Sequence, residues 1–209
     1  MEKIEYIAIE GIMGVGKTSL ATKLAHYWRA TLILEKTENP FLPLFYENPR
    51  SYAFQTQLFF LLTRYQQQIK LNQLSLFESK KIVSDYLFEK DKIYASVNLS
   101  ESEYYLYEQI FQLLEKNLNL RPTKIIFLQT NLEILWERLK KSEQKYERNI
   151  EWEYLVAINN SYNQFFFHYQ RAPVLIVNTE SYDYLENRKA FKNLVMAVEN
   201  LKEGRKFLA

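Results

Sequence analysis

The 209-residue chain contains no cysteine. That removes disulfides, thiolate metal sites and cysteine nucleophiles, and it suits a reducing compartment. No apolar run approaches the length that crosses a membrane. The greasiest stretch, Phe165-Phe166-Phe167, is flanked by Tyr162, Asn163, Gln164 and His168 and reads as part of a packed helix. The first apolar run is too short for a secretory leader, so a cytoplasmic protein is expected. Neither sign of charge is in excess. Lys and Arg number 27 against 25 Asp and Glu, a net charge of +2, which gives no case for a nucleic-acid or membrane partner. There is no internal repeat or low-complexity linker, and the expectation is one domain over residues 1–209 with a sizeable core.

Glycine is scarce too, with 4 in the whole chain. Gly11, Gly14 and Gly16 fall together in Gly11-Ile12-Met13-Gly14-Val15-Gly16-Lys17-Thr18, which fits G-x-x-x-x-G-K-[ST] at every fixed position. The flanks suit the motif: an apolar strand-like segment, Ile4–Ile9, runs before it, and Leu20, Leu24, Ala25, Tyr27 and Trp28 follow in helical spacing. Glycine lets main-chain N–H groups turn inward around an anion, and the helix behind adds its unpaired N-terminal N–H groups and its dipole. The amides of Gly11, Gly14, Val15, Gly16, Lys17, Thr18 and Ser19 are therefore expected to bind ATP phosphates. Lys17 would reach the β- and γ-phosphates, and the Thr18 hydroxyl would ligate Mg²⁺.

Five segments read as strands: Ile4–Ile9, Thr31–Leu34, Lys81–Leu87, Lys124–Leu128 and Val174–Val177. Helical patterns separate them, at 18–30, 50–69, 100–118, 131–141 and 150–169, and Asp183–Leu201 closes the chain. Ser100 and Glu103 form a capping box, and Asn131 is a plausible cap. The alternation predicts an α/β three-layer sandwich of P-loop kinase type with a parallel five-stranded sheet. Ligands of such sheets lie beyond the carboxyl ends of the strands. There the sequence offers Glu35 after the second strand and Asp85 within the third. One such carboxylate can take a proton from a hydroxyl, and the other can hold Mg²⁺. Alternatively, strand-end carboxylates merely cap the next helix.

At this point the chain resembles the deoxynucleoside kinase family, in particular its bacterial deoxyadenosine/deoxyguanosine kinase-like branch, over nearly its whole length. The resemblance is carried by Ile9–Ala21, by Glu35 with the Asn39-Pro40-Phe41 turn, and by the block Phe45–Arg64. It implies ATP-dependent phosphorylation of the 5′-hydroxyl of a purine deoxynucleoside, with Glu35 as general base. It further implies that Tyr46 bonds the sugar 3′-hydroxyl, that Gln57 pairs with the base edge, that Arg64 biases base choice and that Phe54 packs on the nucleoside. Read from the residues alone, the block is an amphipathic helix on which Gln57 and Arg64 could equally face solvent. The third-strand segment aligns in two ways. Matching strand ends puts Asp85 at the metal, with Lys90 and Asp91 on the helix behind it. Matching a downstream aspartate makes Asp85 a base-side contact and lets Lys80 replace an arginine.

The family's lid, a helix end carrying several arginines and then a glutamate, corresponds to about 138–149. Arg138 and Glu147 match, Arg138 as the group that stabilises transferred charge and Glu147 as a substrate contact, as is Lys90. Ser142 and Gln144 stand where arginine is expected, and Glu143 adds negative charge. Lys141, Lys145 and Arg148 keep the run basic, but a lysine gives a point charge rather than a bidentate fork. Two rival readings follow: a nucleoside monophosphate kinase of thymidylate kinase type, and a nucleotide-binding regulatory protein with little turnover. The family is commonly dimeric, and a homodimer through aromatic-rich helices is possible here.

Overall fold

A computed structural model describes residues 4–74, 81–142 and 147–208. Lys80 and the lid residues Glu143, Gln144, Lys145 and Tyr146 lie outside the described residues. The centre of the fold is β1 (Glu5–Glu10), whose apolar run Tyr6–Ile9 is fully buried. It pairs in parallel with β3 (Lys81–Ser84) on one side and β4 (Lys124–Gln129) on the other. Further out, β2 (Thr31–Ile33) pairs with β3, β5 (Val174–Asn178) with β4, and β6 (Arg205–Leu208) with β5, all parallel. The sheet therefore has 6 strands in the order β2-β3-β1-β4-β5-β6, which corrects the expectation of five.

The extra strand has a physical basis that composition hides. Arg-Lys-Phe-Leu is short, charged and largely exposed. It follows Gly204, whose φ of +66° turns the chain back alongside β5. Arg205 then anchors it by donating to the carbonyl oxygens of Phe166 (3.2 Å), Phe167 (2.6 Å) and Tyr169 (2.9 Å) at a helix C-terminus, where carbonyls lack partners.

The helices are α1 (Lys17–Trp28), α2 (Leu42–Glu47), α3 (Pro49–Leu74), α4 (Lys90–Asn98), α5 (Glu101–Glu115), α6 (Leu132–Lys140), α7 (Trp152–His168) and α8 (Arg188–Glu199). The capping box at Ser100–Glu103 forms, and Asn131 accepts the Glu133 N–H at 2.7 Å. The helix expected over 50–69 runs on to Leu74 and α2 was not anticipated, and two further boundaries differ from expectation for a local reason. β3 stops at Ser84, where the Ser84 hydroxyl donates to the Tyr86 carbonyl at 2.7 Å and the chain bends out of the sheet. The closing helix begins only at Arg188, because the Asn187 side chain accepts the N–H groups of Lys189 and Ala190.

The main core is formed by the sheet with α1, α7 and α8. A smaller cluster, including Leu61, Phe88, Tyr107 and Phe111, sits between α3, α4 and α5. Phe88 and Phe111 stack there at 5.0 Å. Each fully buried large side chain contributes about 1.5–3 kcal/mol. This cluster fixes α3 and α4 against each other, and those two helices carry Arg64, Lys90 and Asp91.

Candidate active site

The phosphate-loop motif is bent as its glycines allow. Gly11, Gly14 and Gly16 have φ of +149°, +77° and +102°. A Cβ on Gly11 would lie 2.5 Å from the Leu128 carbonyl oxygen and 2.9 Å from Val15 Cγ1, so the loop is pressed onto β4 where only glycine fits. Gly16 directly precedes α1, with Thr18 and Ser19 exposed in its first turn. Val15 packs into the core. Lys17 is buried and donates from Nζ to the carbonyls of Gly11 (2.8 Å) and Ile12 (3.1 Å). Burial and then repulsion from Lys90 lower its pKa to about 8, against the pull of Glu10, Glu35 and Asp85.

The parallel sheet brings the carboxylates to this loop. Asp85 Oδ2 accepts the Thr18 hydroxyl at 2.6 Å, and its Oδ1 accepts the Glu35 N–H at 2.7 Å. Asp85 thus ties the start of α1 to the chain leaving β2. Glu35 is held from two directions. Its Oε1 accepts Arg64 Nε at 2.9 Å and also Nη2, and its Oε2 accepts Lys90 Nζ at 2.5 Å. Burial pushes the Glu35 carboxyl up, but Lys90 and Arg64 more than reverse this and hold it well below the usual carboxylate range. Arg64 also pairs with Asp91 through Nη1. Burial raises Asp91 to about 6, with Arg64 opposing only in part.

These groups line a cavity of about 420 Å³. Gly14, Lys17, Thr18, Glu35, Tyr46, Gln57, Arg64, Asp85, Lys90 and Glu147 all reach it. Gln57 and Arg64 are each 3% exposed, so the solvent-facing alternative for that helix face is excluded. Of the expected catalytic and substrate-contact residues, two lie elsewhere. Phe54 packs against the smaller core cluster, and Phe60, on the adjacent face of α3, lines the cavity in its place. Arg138 is exposed on α6 and is not part of the cavity wall.

Other residues of the cavity went unanticipated, among them Thr56, Asp91, Tyr94, Asn98 and Tyr154. Thr56 Oγ1, Gln57 Oε1 and Asp91 Oδ2 are buried there without a protein hydrogen-bond partner. Buried polar atoms are normally paired, so these are suited to a polar ligand edge. Asp91 had one sequence signal, its place one residue after Lys90 at the start of a helix, but which face it takes depends on how α4 docks. In the described part of the lid, the Ser142 hydroxyl bonds the Glu147 carboxylate, and Arg148 Nε donates to the Ser142 carbonyl at 2.6 Å. The position expected to hold an arginine thus holds the lid glutamate. Among the described residues no cluster of three or more His, Asp or Glu forms a metal cage. Thr18 and Asp85 instead supply a pair of hard oxygen donors beside the loop, as suits Mg²⁺ shared with phosphates.

Residues 7–203 match the model of the deoxynucleoside kinase family. The chain is 33% identical over 206 residues to a deoxyguanosine kinase of Bacillus subtilis, covering 96% of this chain and 99% of that protein. It is 32% identical over 180 residues to a deoxyadenosine kinase of Dictyostelium discoideum, covering 83% and 71%. Its fold is similar to that of a deoxyadenosine kinase from M. mycoides with bound dATP, at a TM-score of 0.76 and 23% identity, covering 93% of this chain and 100% of the other.

Proposed function

Because the chain belongs to the deoxynucleoside kinase family, we propose that it transfers the γ-phosphoryl group of ATP to the 5′-hydroxyl of a purine deoxynucleoside. The observation that carries this reading is the Glu35 carboxylate, 10% exposed at the cavity and held between Arg64 and Lys90 beside Lys17 and the Thr18–Asp85 pair. The loop amides and Lys17 bind the donor phosphates. Mg²⁺, held by Thr18 and Asp85, would neutralise charge on the phosphate oxygens. Glu35 orients the acceptor hydroxyl and takes its proton. So acidic a carboxylate is a weak base, and that suffices here. Phosphoryl transfer passes through a loose transition state in which positioning and charge stabilisation carry most of the catalysis.

The unpartnered Gln57 Oε1 and Asp91 Oδ2 support a purine edge as the polar ligand, with Arg64 fixing Asp91 from behind. Gln offers a donor and an acceptor together and can meet two edge atoms of one base. Tyr46 and Glu147 suit the sugar 3′-hydroxyl. Arg138 would approach the donor phosphates when the lid over 138–149 closes. The purine preference also draws on the deoxyguanosine and deoxyadenosine kinases among the relatives. In this reading residues 1–209 form one domain and work in the cytoplasm as a homodimer.

A monophosphate kinase of thymidylate type would need cations free to hold the acceptor's own phosphate. Arg64 is instead engaged by Glu35 and Asp91, which weighs against that alternative. The test is incubation with γ-labelled ATP and, separately, each deoxynucleoside and thymidine monophosphate. A labelled purine deoxynucleoside 5′-monophosphate is expected. Phosphorylation of thymidine monophosphate alone would replace the reading by the alternative, and ATP binding with no product would favour a regulatory protein.

A further inference from the structure

Glu10 ends β1 directly before the phosphate loop and is fully buried. Its two oxygens face donors from separate parts of the chain. Oε2 accepts the Gly11 N–H at 3.0 Å and the Tyr162 hydroxyl at 3.2 Å, and Oε1 accepts the Leu87 N–H at 2.8 Å. It does not line the cavity. Burial pushes its carboxyl up, and Lys90 and Lys17 pull it back only in part. Leu87 lies between Asp85 and Lys90, and its carbonyl accepts the Lys90 N–H at 3.0 Å, so its place sets the start of α4. Tyr162 in turn meets Tyr94 of the cavity wall edge-on at 6.0 Å.

We propose that Glu10 is a positioning residue whose carboxylate locks the phosphate loop to the Asp85–Lys90 segment, so that donor phosphates and the Glu35 base keep a fixed register. The proposal rests on the kinase reading for its effect on turnover. Two main-chain N–H groups from different segments need two acceptor oxygens on one side chain, which only a carboxylate provides. In Glu10→Gln the new NH₂ must face either Gly11 N–H or Leu87 N–H, donor against donor. Tyr162 can turn its hydroxyl to accept, but that leaves the Gly11 amide unpaired all the same.

The experiment compares wild type with Glu10→Gln in steady-state kinetics, Mg-ATP titration and amide hydrogen exchange. The expected result is a kcat lower by about ten- to a hundredfold, as for a misplacement near 1 Å, with the KM for the nucleoside changed far less. The Gly11 and Leu87 amides should lose protection together while β4 and β5 keep theirs. A kcat within twofold of wild type, or an unchanged Leu87 amide, overturns the proposal. If the glutamine variant does not fold, Glu10→Asp, which keeps both oxygens but draws them back by one methylene, takes its place. Fast exchange of either amide in folded wild type also overturns it. Should wild type phosphorylate no deoxynucleoside, the kinase reading falls, and the lock is then judged on ATP affinity and exchange alone.

Discussion

Gly11→Ala perturbs the loop at its tightest point. The new Cβ would meet the Leu128 carbonyl oxygen at 2.5 Å and Val15 Cγ1 at 2.9 Å. Neither can yield cheaply, since Leu128 is a residue of the central β4 and Val15 is packed in the core. The loop must move by about 1 Å to regain ordinary contact. Overpacking costs about 1–3 kcal/mol, and a non-glycine residue at φ +149° adds strain on the order of 1–3 kcal/mol. The sum, about 2–6 kcal/mol, predicts a melting temperature lower by about 4–24 °C for a chain of this size. A displacement of that size in the phosphate-binding amides should also weaken Mg-ATP binding by about a hundredfold. Gly204→Ala is the matched control. Its φ is +66°, and nothing lies within 4 Å of the added Cβ. It should cost about 1 kcal/mol and leave nucleotide binding intact. Thermal melts and calorimetric titration read both variants. If Gly11→Ala binds nucleotide within threefold of wild type, or Gly204→Ala is as damaging, the steric reasoning fails.

Lys17 titrates near 8 in the free protein, and bound phosphates should return it toward its ordinary value. Affinity for Mg-ATP should therefore be flat below about pH 7, about halved at pH 8 and about tenfold weaker at pH 9 than at pH 7, with proton uptake on binding; a flat profile to about pH 9.5 would contradict this. Arg64→Met strips the cation from the buried Asp91 and the partly buried Glu35 and should cost about 3–5 kcal/mol in urea unfolding. Adding Asp91→Asn should restore about 1–3 kcal/mol of that loss, whereas strictly additive effects would argue against coupling. Ser142→Arg with Gln144→Arg should raise the single-turnover rate by supplying forked cations to the transferring group, and an unchanged rate would count against the lid argument.

The local signals in the sequence were strong where one segment determines its own geometry. The glycine loop, the helix it opens, the capping box at Ser100 and the Asn131 cap depend on near neighbours, and each appears as read. The inner strands were found because buried parallel strands are continuous apolar runs. β6 was missed because its four residues look like a polar tail, and what makes it a strand is Arg205 reaching carbonyls on α7. Glu35 and Asp85 could be singled out because parallel strands deliver their carboxyl ends to one edge. Asp91 and Glu10 could not, since their partners, Arg64 in one case and Gly11, Leu87 and Tyr162 in the other, are set by how α3, α4 and α7 dock. Phe54 and Phe60 are both apolar residues of α3, and which of them faces the cavity is likewise a matter of packing.

The central claim is that Glu35, fixed by Arg64 and Lys90, serves a deoxynucleoside hydroxyl facing the ATP bound at the loop. The most direct test is the release of labelled 5′-monophosphate from γ-labelled ATP and deoxyguanosine or deoxyadenosine, wild type against Glu35→Gln. The account predicts product from wild type and a kcat about 10²–10⁴-fold lower in the variant, with ATP affinity retained. Equal turnover in the two proteins, or none from wild type with nucleotide bound, would contradict it.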